Sequence, residues 1–152
     1  MTPAKIRANV VSERAAWVRE MVRSLQGLPL DSFDEFTSDR RNVASAESYL
    51  RRGIEALLDL GRHILAKGFA VVAAEYKEIG SELAREGVLS EDQGKLLRRI
   101  AGYRNRMVHF DHEVTQAELY QLGTEELKDI ESPLEALVRW LQAHPEKLDQ
   151  GI

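Results

Sequence analysis

Apolar positions recur every three or four residues along almost the whole chain, the spacing of helices that bury one face. The clearest stretch runs from about Ser38 to Lys67. There Val43, Ala46, Leu50, Leu57 and Ile64 keep a four-three rhythm, with Ile54 and Leu60 filling the gaps. Gly68 follows as a C-terminal stop. Upstream, Ile6, Val10, Ala16 or Trp17, Met21 and Leu25 predict a first helix, with Thr2 as N-cap, Pro3 as first helical residue, and Gly27 and Pro29 at its end. The stretch "LPLDSFDEF" reads as a loop holding about one helical turn. A third helix is predicted from Val71 to Glu86, closed by Gly87. Ser90-Glu91-Asp92-Gln93 and Thr115-Gln116-Ala117-Glu118 both have capping-box spacing and open a fourth and a fifth helix. The fifth continues through Leu137 to Leu141, with Pro133 predicting a kink or break. The expectation is an all-α protein, an antiparallel bundle of about five helices. Residues 1–152 read as one domain, without internal repeat, linker or low-complexity segment.

Composition narrows the function classes. With 43% apolar and 30% charged residues in 152, the chain is globular and long enough for one sizeable core. The absence of cysteine excludes disulfide scaffolds and cysteine-based zinc sites, and suits a reducing cytosol. No segment approaches the ~18 continuous apolar residues of a membrane span. Charges run through "MTPAKIRANVVSERAAWVRE", so no secretory signal is expected and the predicted location is cytoplasmic. The net charge of −4 gives no global attraction for nucleic acid, so such binding would need a local basic patch.

The densest chemistry lies in residues 102–114, "GYRNRMVHFDHEV". On a helical wheel Leu96, Ile100, Tyr103, Met107 and Phe110 form the expected core stripe. Arg98, Gly102, Asn105 and His109 form a row roughly opposite, which His112 extends if the helix continues. Asn105 and His109 are four apart, so the amide is placed to orient the imidazole. Arg104 falls on the flank of the apolar stripe, where a half-desolvated guanidinium requires an acidic partner or a phosphate. On the second helix Arg51, Glu55, Asp59 and His63 form a polar row with Arg62 beside it, turned from the Leu50–Leu57–Ile64 stripe. Two outward polar rows suit a dimer that brings them together around a cleft. Each feature also has a plainer reading. His109 is then a solvated histidine, Arg104 a structural ion-pair partner, and the Arg51–His63 row a surface ladder from which Glu55 or Asp59 neutralises an arginine. His109, His112 and Glu113 are also a conceivable metal set lacking a fourth ligand. His63 and His144 look incidental, and Trp17 and Trp140 read as core anchors of the first and last helices.

"RNRMVH", an arginine followed by a polar residue with histidine five positions on, resembles the motif of the HEPN superfamily of helical ribonucleases. With "SFDEFTSDRRNVASAESYLRRGIEALLDLGRHILA" upstream and "EVTQAELYQL" downstream, the chain is most similar to the HepT branch, the toxins of HepT–MntA pairs. The resemblance implies a metal-independent endoribonuclease, needing no cofactor, whose site forms across a homodimer. It implies Arg104 and His109 as catalytic residues; the spacing adds Asn105 and Asp59 as expected supports, and the need for a local basic patch adds Arg106, Arg98 and Arg51 as expected RNA contacts. The resemblance also implies an MntA-like nucleotidyltransferase antitoxin as partner. The family pattern continues His-x-Tyr, the tyrosine being the one to which the antitoxin attaches AMP. Here Asp111 stands in that place. A carboxylate there raises the pKa of the neighbouring histidine and repels phosphate. The alternative is a catalytically silent HEPN module that binds RNA, nucleotide or the nucleotidyltransferase.

Overall fold

The structure, a computed structural model, describes residues 3–109 and 113–152. The expected cap at Thr2 and the expected roles of Phe110, Asp111 and His112 therefore lie outside the described residues. Among the described residues the chain forms α1 (Ala8–Gln26), α2 (Phe33–Thr37), α3 (Arg40–Phe69), α4 (Tyr76–Arg85), α5 (Glu91–Val108), α6 (Gln116–Thr124) and α7 (Lys128–Ala143), then a 3-10 turn at Pro145–Lys147. The all-α expectation holds. The count rises from five to seven because the turn predicted within 28–36 becomes α2, and the fifth predicted helix divides after Thr124.

The 30-residue α3 is the axis of the fold, and every other helix packs against it. Its four-three stripe explains this: Leu50, Ile54, Leu57, Leu58, Ile64 and Leu65 are almost wholly buried. Side chains rather than helix propensity hold such a helix in place. Ser32, Asp39, Ser90 and Thr115 each accept a backbone N–H at the start of α2, α3, α5 and α6. Only Thr115 forms a complete capping box with its glutamate.

Several boundaries differ from the sequence reading. The first helix begins at Ala8 and not at Pro3, because residues 4–6 are tied to distant segments. Ala4 N–H donates to the Lys67 carbonyl (2.7 Å), Ile6 N–H donates to that of Lys147 (2.8 Å), and Ile6 is fully buried. Remote side chains satisfy the start of α1: the Arg7 N–H donates to His63 Nε2 (3.0 Å) and the Ala8 N–H to Asp149 Oδ1 (2.9 Å). His63 is thus a structural acceptor, not an incidental residue. Trp17 is 42% exposed, since α1 buries the Ala8–Val11–Ala15–Val18–Val22–Leu25 face instead. Trp140 is half-buried, stacked on His144 with centroids 4.4 Å apart.

Gly68 does not stop α3. A Cβ there would lie 3.0 Å from Ile6 Cδ1, so its smallness admits the N-terminal segment, and Ala70 ends the helix with left-handed φ 56°. Residues 71–75 are non-helical, and α4 starts only at Tyr76. Pro133 lies inside α7 without breaking it, the break falling at 125–127. The α4–α5 crossing is close: a Cβ on Gly80 would meet the Gly94 carbonyl oxygen at 2.2 Å. No helix among the described residues is long and apolar enough to cross a membrane.

Candidate active site

That crossing decides how α5 presents its polar residues. The face of α5 turned to the core carries Gly94, Leu97, Ile100 and Ala101. Leu96, Tyr103 and Met107, expected at the centre of the stripe, are only half-buried. Small residues carry the close contact with α4, and a reading based on large apolar residues misplaces the face by about one position on the wheel. Arg104 follows Ala101 by three, so it continues the buried face beyond the last apolar residue.

Arg104 accordingly finds the acidic partner its position requires. Its Nε donates to Glu55 Oε1 at 3.1 Å, with both side chains about a quarter exposed (25% and 26%). Nη1 donates to Asn105 Oδ1 at 3.3 Å, and the guanidinium lies 4.7 Å from the Tyr76 ring centroid. The Tyr76 hydroxyl donates to Asp59 Oδ1 at 3.0 Å, and Arg62 lies 4.7 Å from the same ring. Burial, followed by the bond to Asp59, raises the Tyr76 pKa, so its phenol stays protonated and donating. Arg51 lies 3.7 Å from Glu55. The polar row of α3 and Arg104 of α5 therefore meet inside one chain. Arg104 is expected on the flank of the apolar stripe with such a partner. Of the row expected to face outward on α5, Arg98 and His109 are exposed. The α3 row is partly taken up by Arg104 and Tyr76, so it does not stand unpartnered as an argument for a dimer. Tyr76 carried no signal in the sequence, because its contacts link residues far apart along the chain.

His109 is placed differently. α5 ends at Val108, and His109 adopts an extended conformation (φ −113°, ψ 124°) with its N–H donating to the Arg106 carbonyl at 3.4 Å. Leaving the helix takes His109 off the Asn105 row, and the Asn105 amide turns to Arg104; the expected Asn105–His109 bond does not form. The exposed His109 borders two open depressions. One, of about 350 Å³, is also lined by Lys77, Tyr103 and Asn105; the other, of about 380 Å³, lies against Glu47, Met107 and Val114. Arg98 is exposed, with no ion pair among the described residues. Arg106 is engaged: its fork binds Glu118 at 2.6 and 2.8 Å. The hydrogen bonds from Arg106 hold the Glu118 carboxyl down to a pKa of about 2. The capping-box spacing revealed Glu118 as a helix-start residue but not its second bond, to α5.

The family model described as "Ribonuclease HepT-like" matches residues 18–137, a span containing α3, α5 and the whole of this site. The chain belongs to the HepT-like family. No curated protein sequence matches this HepT-like chain significantly. Among solved structures it is similar to a tri-AMPylated HEPN toxin of Shewanella oneidensis in complex with its MNT antitoxin, at 19% identity and TM-score 0.78, covering 86% of this chain and 97% of that one. A toxin–antitoxin structure with AMP-PNP gives 18% identity and TM-score 0.77, covering 86% and 98%. A cytosolic protein of unknown function, YutE of Bacillus subtilis, gives 19% identity and TM-score 0.71, covering 88% and 90%. At these identities the structural likenesses establish the shared helical fold. In that fold Arg104 is fixed by its neighbours and His109 stands exposed.

Proposed function

We propose that this HepT-like chain is a toxin that cleaves RNA without a metal, acts as a homodimer, and is controlled by an MntA-like nucleotidyltransferase. The observation that carries the reading is the contrast within the motif. Arg104 is held on three sides by Glu55, Asn105 and Tyr76, while His109 stands exposed at the end of α5 beside two open depressions. Cleavage through the 2′-hydroxyl calls for both kinds of group. A base removes the proton as the 2′ oxygen attacks phosphorus and the bond to the 5′ oxygen breaks, and a fixed cation stabilises the charge that builds on the phosphate. His109 is the group assigned to proton transfer. The Arg104 Nη2 makes no hydrogen bond among the described residues and is the donor assigned to phosphate. A second motif from the partner copy supplies the acid that protonates the leaving oxygen. Asn105 and Asp59 serve by holding Arg104, directly and through Tyr76. Arg98 and Arg51 are the peripheral RNA contacts.

His109→Ala and Arg104→Ala should each abolish RNA cleavage and growth inhibition on expression. Arg104→Ala should also cost some stability, because it leaves the half-buried Glu55 with only the longer 3.7 Å contact to Arg51. A second reading is favoured by the 3.1 Å contact from Glu55, which offsets the Arg104 charge before any phosphate arrives. Under that reading the chain is a silent module, and it would bind RNA or the nucleotidyltransferase without cutting.

A further inference from the structure

The chain leaves α5 at Val108, carries His109, and re-enters a helix at Gln116. One residue holds both flanks of that connection. Arg106 accepts the His109 N–H on its backbone carbonyl, and its side chain reaches the other way, where Nη2 donates to the Glu113 carbonyl at 3.0 Å. The same guanidinium binds Glu118 through both nitrogens, Nη1 to Oε2 at 2.6 Å and Nη2 to Oε1 at 2.8 Å. Glu118 Oε1 also accepts the Thr115 N–H at 3.0 Å, closing the cap of α6. A planar fork on a carboxylate fixes orientation as well as distance, which a single contact does not.

We propose that Arg106 is a positioning residue: its side chain clasps the end of α5, just ahead of His109, to the chain that follows, through Glu118 and the Glu113 carbonyl, and so sets where the imidazole stands between the two depressions. The inference rests on the proposed function only for the consequence in catalysis; the clasp itself is a claim about His109. It replaces the expected role of Arg106 as an RNA contact. A phosphate would have to displace two short charge-assisted bonds, whereas the exposed Arg98 on the same helix has no such competitor among the described residues. Glu118 stays ionised across the whole range in which the protein would be studied, so the clasp does not open with pH.

The test uses Arg106→Lys, Arg106→Ala and Glu118→Gln in the full chain. Glutamine keeps an acceptor for the Thr115 N–H, so Glu118→Gln weakens the clasp and spares the cap. The first readout is the NMR signal of the His109 ring, with His63 and His144 as internal references for the rest of the fold. The second is steady-state cleavage of a labelled RNA. Misplacing a reacting group by about 1 Å costs up to ~100-fold, so kcat should fall ~10- to ~100-fold in Arg106→Ala and Glu118→Gln with KM within about twofold of wild type. Arg106→Lys should recover part of the loss, and the double variant Arg106→Ala/Glu118→Gln should be no worse than the poorer single one. The His109 resonances should shift and broaden while those of His63 and His144 stay. Unchanged His109 resonances in both Arg106→Ala and Glu118→Gln would overturn the proposal. So would a raised KM confined to the Arg106 variants, which marks an RNA ligand. If the wild-type chain cuts no RNA, the proposed function falls, and the clasp is still decided by the resonances.

Discussion

His63 shows how a residue that looks idle in the sequence acquires a duty. Its Nε2 accepts the Arg7 N–H, which only an unprotonated ring nitrogen does. Burial, and then the positive charges of Lys67, Arg7 and Arg14, lower its pKa below the ordinary 6.5, with Asp149 pulling the other way. The unfolded chain therefore takes up a proton at higher pH than the folded one. The stability this group contributes is complete above 6.5 and is lost as pH falls through the range between the two pKa values. Urea midpoints should drop as pH is lowered below 6.5, and His63→Gln, which keeps an acceptor but does not titrate, should flatten that dependence. An unaltered slope in His63→Gln would remove this account. Residues of this kind are not legible in a sequence, because their partners are remote: Arg7 lies 56 positions from His63. Arg104 was legible. Its place beside Leu97 and Ala101 required a partner on physical grounds, and Glu55 provides one.

At the scale of elements, the periodic pattern located α3 within two residues at each end because its stripe is long and built from large apolar side chains. It failed where small residues or remote hydrogen bonds decide. Gly80 and Gly94 bring α4 and α5 to backbone contact, and that contact, not the Leu96–Tyr103 row, sets the rotation of the helix bearing the motif. Gly80→Ala places a methyl against a carbonyl that cannot move aside cheaply, so a loss of ~1–3 kcal/mol is expected in denaturant unfolding. Because α5 must shift, cleavage should fall even at temperatures where the variant remains folded. A Gly80→Ala protein with wild-type stability would show that the helices do not cross so closely. The end of α5 was the other misreading. A wheel continues past Val108 without penalty, whereas the chain turns extended at His109, and the Asn105–His109 pairing is lost with the helix.

For the whole molecule, the fold places a fixed Arg104 and an exposed His109 on one bundle, and the proposed control by a nucleotidyltransferase depends on what can be attached nearby. The expected modification position holds Asp111, and a carboxylate cannot form the stable phosphodiester that a phenol forms with AMP. Incubation with an MntA-like nucleotidyltransferase, the proposed partner, and ATP should leave position 111 unmodified. Asp111→Tyr should gain the mass of one or more AMP units on the peptide containing His109, with cleavage blocked by the added charge and bulk. AMP found on Asp111 itself would contradict this.

The central claim is that a histidine and an arginine cut RNA here without a metal. The most direct measurement is cleavage of an end-labelled RNA by the purified chain in excess EDTA, beside His109→Ala protein whose thermal unfolding matches wild type. The account predicts cleavage undiminished by the chelator, 2′,3′-cyclic phosphate ends on the products, and no cleavage by His109→Ala. Activity that disappears with EDTA, or persists in His109→Ala, would contradict it.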